Sequence, residues 1–296
     1  MSVATSLSEA GIPKAGAKVV ALRRTAVAGE AVLEVRASGG VTRLADLYQR
    51  DPLSLRLPRP GRGDIFEASL ITTSGGIVGG DKLDVAVLAG EGARLRVYPQ
   101  AAEKVYRSLG TDSRIAVNLK AAAGAWLEWL PQETILFDGA RLRRDTLVTL
   151  VPGARVLAGE FLVFGRRASG ETLSHGLIHD GWRVHRDGRL IWADALHAEG
   201  DLAAPLNSIA CLGGVTAYAS LLYAADDAPA KLTALRALLP AEGPQARAAL
   251  TAVNGLVIGR FLGEARAVRD SYSAFWAAAR AELAGLPPTL PRLWHV

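Results

Sequence analysis

The apolar residues of this chain arrive in short runs, and the breaks between them limit the fold more than any single motif does. From about residue 19 to 225, segments of roughly five to ten residues rich in Val, Leu and Ile alternate with Gly, Pro and Asp-Gly. Runs of that length bounded by turn residues read as β-strands. The expected strands are Val19–Arg24, Ala31–Ala37, Ile65–Thr72, Lys82–Val87, Arg94–Pro99, Arg114–Leu119, Trp126–Trp129, Thr134–Phe137, Thr146–Val151, Arg155–Phe164, Thr172–His179, Trp182–Arg186, Arg189–Leu196 and Val215–Tyr223. Asp187-Gly188 sits between two such runs and predicts a tight hairpin. Asp138-Gly139 is a second turn, and positive-φ turns of this kind draw on the 31 glycines.

The period then changes. Leu232, Leu235, Leu238 and Leu239 follow Pro229 at helical spacing until Pro240. Leu250, Val253, Val257 and Phe261 form a second stripe, and Val268, Tyr272, Phe275, Ala279 and Leu283 a third, closed by Pro287-Pro288. Strands first and helices last predict an α+β, predominantly β fold: an extended or helically coiled multi-strand sheet with C-terminal helices packed on it. A single domain is expected over 19–296, β-rich over 19–225 and helical over 229–286, behind a flexible tail at 1–18.

Composition narrows the function. Half of the residues are apolar, ample for a core, and 21% are charged. The net charge of +5 is carried by bases interleaved with acids, and aromatics are only 6%. That is a solvated surface rather than a nucleic-acid stripe or a base-stacking platform. Residues 202–225 carry no charge and are long enough to span a bilayer. Pro205, Asn207 and Gly213-Gly214 break them into a turn and a short buried strand, so no membrane span is expected. The N-terminus has no basic segment followed by an apolar one, and Cys211 is the single cysteine, which fits a reducing cytoplasm.

Recognised catalytic motifs are missing. TTSGGIVGGDKL (72–83) has Lys82 after Asp81 and Leu83 at the hydroxyl position, which excludes a P-loop and leaves two tight turns. No H-E-x-x-H, G-x-S-x-G or C-x-x-C occurs. His175 and His179 lie four apart on one strand face, two ligands where a tight metal site wants three or four. Cys211 lies in an apolar run and reads as a core thiol.

The carboxylates are more informative. In VLAGEFLVFGRRASGE (156–171), alternation puts Val156, Ala158, Glu160, Leu162, Phe164 and Arg166 on one face. Glu160 thus stands among apolar neighbours, where an unpaired charge is costly. Either Arg166 or Arg167 pairs with it, or the carboxylate lines a watery passage, and Glu171 is able to join either arrangement. In LEWLPQETILFDGA (127–140), strand parity puts Glu133 and Asp138 on opposite faces, against a catalytic pair across one scissile bond.

GGIVGGDKL, QAAEKVYRS (100–108), LEWLPQETILFDGARL (127–142), FGRRASGE (164–171) and the closing PRLWHV (291–296) occur in the order in which the UreD (UreH) family of urease accessory proteins carries such blocks. The chain resembles that family over residues 19–296. The resemblance implies a mainly β fold with a helical-topology sheet, and no enzymatic activity. It implies partnership with apo-urease, UreF and the GTPase UreG, and it admits a dimeric UreD–UreF–UreG assembly. Ni²⁺ would be in transit rather than tightly bound. The charged members of the matching blocks, Asp81, Glu133, Asp138, Glu160, Arg166 and Glu171, are the residues to which a nickel route or polar tunnel lining would be carried over. His175 and His179 are weak metal candidates beside them. The competing expectation is a β-rich carbohydrate-active hydrolase using Glu133, Glu160 or Glu171, which needs two carboxylates roughly 5–10 Å apart in one cleft.

Overall fold

The computed structural model describes residues 26–166, 169–241, 243 and 245–295. The expected tail and the expected strand Val19–Arg24 lie outside them. β1 (Ala28–Ser38) and β2 (Val41–Arg50) form one hairpin, β3 (Leu53–Arg56) and β4 (Phe66–Thr72) another. From there the chain alternates between two sheets. β5 (Lys82–Ala89) enters the first sheet and β6 (Arg94–Pro99) the second. After the short β7 (Glu103–Val105), β8 (Ser113–Ala121) returns to the first and β9 (Trp126–Trp129) to the second. After β10 (Glu133–Leu136), β11 (Arg141–Leu150), β12 (Arg155–Phe164) and β13 (His175–Arg186) repeat the alternation. Each pass adds a strand parallel to its predecessor in the same sheet, so the chain coils like a β-solenoid.

β14 (Arg189–Asp201) folds back antiparallel on β13 and ends the first sheet, ordered β14-β13-β11-β8-β5-β1-β2. After the short α1 (Ala203–Asn207), β15 (Ala217–Ala224) pairs antiparallel with β12. Helix α2 (Ala228–Ala237) then leads to β16 (Ala246–Val253) and β17 (Leu256–Gly263), which complete the second sheet. Helix α3 (Ala265–Ala284) packs on the outer face of that sheet, and the tail closes in a 3₁₀ turn at Arg292–His295.

Side-chain parity divides the core into layers. On β12, Val156 and Ala158 face the space between the sheets, while Leu157 and Phe161 face α3. Helix α3 buries Val268, Tyr272, Phe275, Trp276, Ala279, Arg280 and Leu283 on one side. Each large apolar side chain so buried contributes about 1.5–3 kcal/mol relative to exposure. The helix starts where the Glu264 side chain accepts a hydrogen bond from Ala267 N–H and stops at Gly285, whose φ is 61°. It comes so close to β12 that a Cβ on Gly159 would meet Tyr272 Oη and stand 2.5 Å from the Ser220 carbonyl.

The predominantly β, helically coiled expectation agrees with this architecture, and the stripe from Val268 to Leu283 is helical as expected. Three details differ. The stretch 229–286 is not helical throughout, because Leu250, Val253, Val257 and Phe261 belong to the hairpin of β16 and β17. Asn254 and Gly255, with φ of 48° and 80°, make the turn; Asn-Gly is the residue pair that such a turn favours, and it overrides a chance helical spacing. The separate strands expected at Thr172–His179 and Trp182–Arg186 are one strand, β13, since Gly181 continues the ladder opposite Ala195 instead of turning. The strands β2, β3 and β7 were not anticipated. β2 is an edge strand exposed along most of its length, so it lacks the buried alternation that marks a strand. The uncharged 202–225 segment is α1, a turn that leaves Cys211 exposed rather than in the core, and β15, and no helix among the described residues is long and apolar enough to cross a membrane.

Candidate functional site

The second sheet is interrupted in mid-course. β9 pairs with β12 at Arg155–Ala158, whereas β10 pairs with β12 farther along, at Phe161–Phe164. β6 and β7 make the same jump beside them. Residues 100–102 and 130–132 bridge the two breaks, and Pro131 has no N–H to offer a ladder. The Gln132 side-chain amide fills in, its Nε2 lying 3.3, 3.2 and 3.1 Å from the carbonyls of Pro99, Gln100 and Leu293.

A cavity of about 330 Å³ lies inside this break, between the sheets, and reaches Glu103, Trp129, Thr134, Arg144 and Glu160. Outside it lies a groove of about 490 Å³ that Glu133, Arg166, Arg269 and Leu293 help to line. The two share Gln100, Ala101, Ala102 and Gln132 as a common wall. Glu133 and Thr134 are successive residues of β10, so strand alternation sends one to the groove and the other to the cavity.

At the inner end stands an ion-paired cluster. Glu160 is 3% exposed, Arg144 4% and Asp180 2%. Arg144 Nη1 lies 2.6 Å from Glu160 Oε2, its Nε donates to Asp180 Oδ1 at 2.9 Å, and Nη1 also donates to Thr134 Oγ1 at 3.0 Å. Trp129 Nε1 donates to Glu160 Oε1 at 3.3 Å. Burial pushes the Glu160 carboxyl up to about 7, Arg144 pulling it down and Asp180 adding to the rise. With both carboxylates ionised, two negative charges share one guanidinium. Beyond Asp180 a space of about 10 Å³, the size of one water, is lined also by Asp194, Tyr218 and Arg260. Arg260 pairs there with the half-buried Asp194 at 2.5 Å. Glu160, Arg144 and Asp180 thus stand between the cavity and the small space that Asp194 and Arg260 line.

The carboxylates singled out from the sequence fall in separate places. Glu160 faces the interior, as alternation requires, but its partner is Arg144 of the opposing sheet. Arg166 instead lies 3.5 Å from Glu171, and Arg167 lies outside the described residues. Glu133 pairs with Arg269 of α3 on the groove side. Asp138 and His175 meet at the turn before β11, where the carboxylate accepts from the Ser174 and His175 N–H groups and from the Ser174 hydroxyl. Burial opposes ionisation of Asp138, but these hydrogen bonds outweigh it and hold the carboxyl below its ordinary range. Glu171 accepts from the Asp138 N–H. Asp81 staples a loop, accepting from Val27 and Val78 N–H. Glu160 lines the cavity, Glu133 the groove and Glu171 neither, so the three carboxylates named for a hydrolase do not share one cleft. His179 meets His197, not His175.

Among the charged residues that the sequence does not single out are Arg144, Asp180, Glu103 and Glu128. The first two were legible by parity. Leu142, Arg144, Thr146 and Val148 are the buried phase of β11, and Ile178, Asp180, Trp182 and Val184 that of β13. Glu103 lines the cavity, and burial raises its carboxyl against hydrogen bonds from Thr72 and the Lys104 N–H. Glu128 is fully buried under α3, bonded by Trp126, Trp276 and Arg280.

Among the described residues no group of three His, Cys, Asp or Glu side chains is placed to hold a metal ion. Fold and site together define a β-solenoid-like protein with a cavity that ends on buried, ion-paired carboxylates. The chain belongs to the UreD urease accessory protein family, whose model matches residues 27–295. It is 48% identical over 261 residues to the urease accessory protein UreD of Magnetococcus marinus, covering 87% of this chain and 90% of that one. It is 45% identical over 281 residues to UreD of Xanthobacter autotrophicus (95% and 93% covered), and 44% over 262 residues to UreD of a Methylobacterium species (87% and 90%).

Proposed function

We propose that this chain is a non-catalytic chaperone for maturation of urease in the cytoplasm. In this reading it binds apo-urease together with UreF and the GTPase UreG, and Ni²⁺ crosses its polar interior on the way to the urease active site. Family membership supports the role in urease maturation, and one observation carries the interior route: the cavity that ends on Glu160, with Asp180 and Asp194 beyond it. The chemistry suits transit. Ni²⁺ binds strongly to nitrogen and sulfur ligands, so a cage of His and Cys would retain it. Glu160 and Asp180 supply oxygen, and with both ionised Arg144 cancels one of their two charges. The residual charge attracts a dication without closing a coordination shell around it.

The partnership is tested by mixing the full chain with its cognate UreF and following co-elution by size-exclusion chromatography. One complex containing both chains is expected, and it should recruit apo-urease. Separate elution at micromolar concentrations would remove the basis for the reading.

A further inference from the structure

The outer face of the first sheet carries a pair of histidines that the interior route does not use. His179 of β13 and His197 of β14 are directly opposite in the antiparallel register. Their rings stand edge to face, with centroids 5.3 Å apart and planes at 70°. The two Nδ1 atoms are 3.3 Å apart. Two nitrogens bound to one tetrahedral dication, each roughly 2.0–2.1 Å from it, stand about 3.3 Å from each other.

The surroundings of His179 favour the same use. Asp145 Oδ1 of β11 lies 3.6 Å from the other ring nitrogen, Nε2, and Arg183 Nη1 lies 3.4 Å from that oxygen. A carboxylate on that side favours the proton on Nε2 and leaves the Nδ1 lone pair toward His197, which is how a carboxylate behind a metal-binding imidazole sets its tautomer. Gly181 makes room for this contact: a Cβ there would stand 3.0 Å from His179 Nε2 and 3.1 Å from Asp145 Oδ1. His197 is exposed and His179 half-buried, so an ion reaches the pair from solvent.

The geometry points to a surface site, at His179 and His197, for one divalent d-block cation of the kind that takes imidazole: Ni²⁺, Cu²⁺ or Zn²⁺ rather than Mg²⁺ or Ca²⁺. The two imidazoles fill two positions and water the others, since no third His, Cys, Asp or Glu completes a metal-binding group among the described residues. Such a site is exchangeable. It stands on its own observation and holds whether or not the interior conveys nickel.

The test uses the full chain and Cu²⁺ alone, followed by electron paramagnetic resonance, with calorimetric titration of Ni²⁺ in parallel. One Cu²⁺ should bind with two imidazole nitrogens. His179→Ala and His197→Ala should each weaken binding at least tenfold, while His175→Ala binds as the wild type does. Excess Mg²⁺ should not displace the metal. On the unmodified chain, Zn²⁺ should shield His179 and His197 from diethylpyrocarbonate, a readout that needs no variant to fold. Wild-type affinity in both single variants, or no protection of either ring, would overturn the site and leave the pair as a plain imidazole–imidazole hydrogen bond.

Discussion

Replacing Arg144 with methionine should lower the unfolding free energy by about 3–5 kcal/mol at pH 8, because it leaves two buried carboxylates without their shared cation. The sign of the pH dependence follows from linkage. In the wild type, Glu160 already titrates near 7 in the folded chain against 4.5 when unfolded. Its contribution to stability is therefore complete below the unfolded value and is lost as pH rises through the folded one. Without the guanidinium, which now pulls it down, Glu160 would hold its proton to still higher pH. The penalty should thus be largest at pH 8 and shrink toward pH 5.5, as urea denaturation at the two values would show. Adding Glu160→Gln should recover part of the loss by removing one of the stranded charges. A pH-independent loss below about 1 kcal/mol would mean that water reaches the cluster well enough to make the ion pairs dispensable.

Truncating Arg280 should be as damaging, for a different reason. This fully buried guanidinium joins three parts of the molecule: Glu128 of β9 at 3.1 Å, Asp64 before β4 at 2.6 Å, and the carbonyls of Pro287 and Thr289 at 2.5 and 3.1 Å. Arg96 completes the network, bonding Asp64 at 3.0 Å and also Glu67. Arg280→Ala strands Glu128 and Asp64 and unpins both α3 and the tail behind it. The expected cost is about 3–5 kcal/mol. Limited proteolysis should then cut first after α3, and the emission of Trp276, which donates to Glu128, should shift toward that of a solvated indole. Arg280→Lys should restore little, since one ammonium cannot reproduce the planar fork that meets two carboxylates and two carbonyls at once.

Both clusters show where reading the sequence succeeds and where it stops. Alternation within one strand placed Glu160 on the interior face correctly, because strand parity is a local property. It could not name the partner. In a coiled two-sheet stack the facing residue comes from the opposing sheet, and Arg144 and Asp180 stand across the interlayer from Glu160, whereas Arg166 is near only along the chain. The same limit hid Glu128. It lies within the most identifying block of the sequence, yet its role is set by an arginine 152 residues later. The helical spacing of Leu250–Phe261 yields to a local signal in the same stretch, the Asn254-Gly255 turn. The cavity was not legible at all. It exists because β6 and β9 stop and resume as β7 and β10, and a break in register between neighbouring strands leaves only Pro131 and Gln132 as traces in the sequence.

The nickel content of urease loaded through the complex tests the interior route most directly. Glu160→Gln keeps the shape of the side chain and leaves Arg144 paired with Asp180, so the chain should fold and assemble with its partners as the wild type does. Urease matured with it, at limiting Ni²⁺, should carry several-fold less nickel and proportionately less activity. Full nickel occupancy of urease matured by a folded, fully assembled Glu160→Gln complex would contradict passage of the metal along these carboxylates.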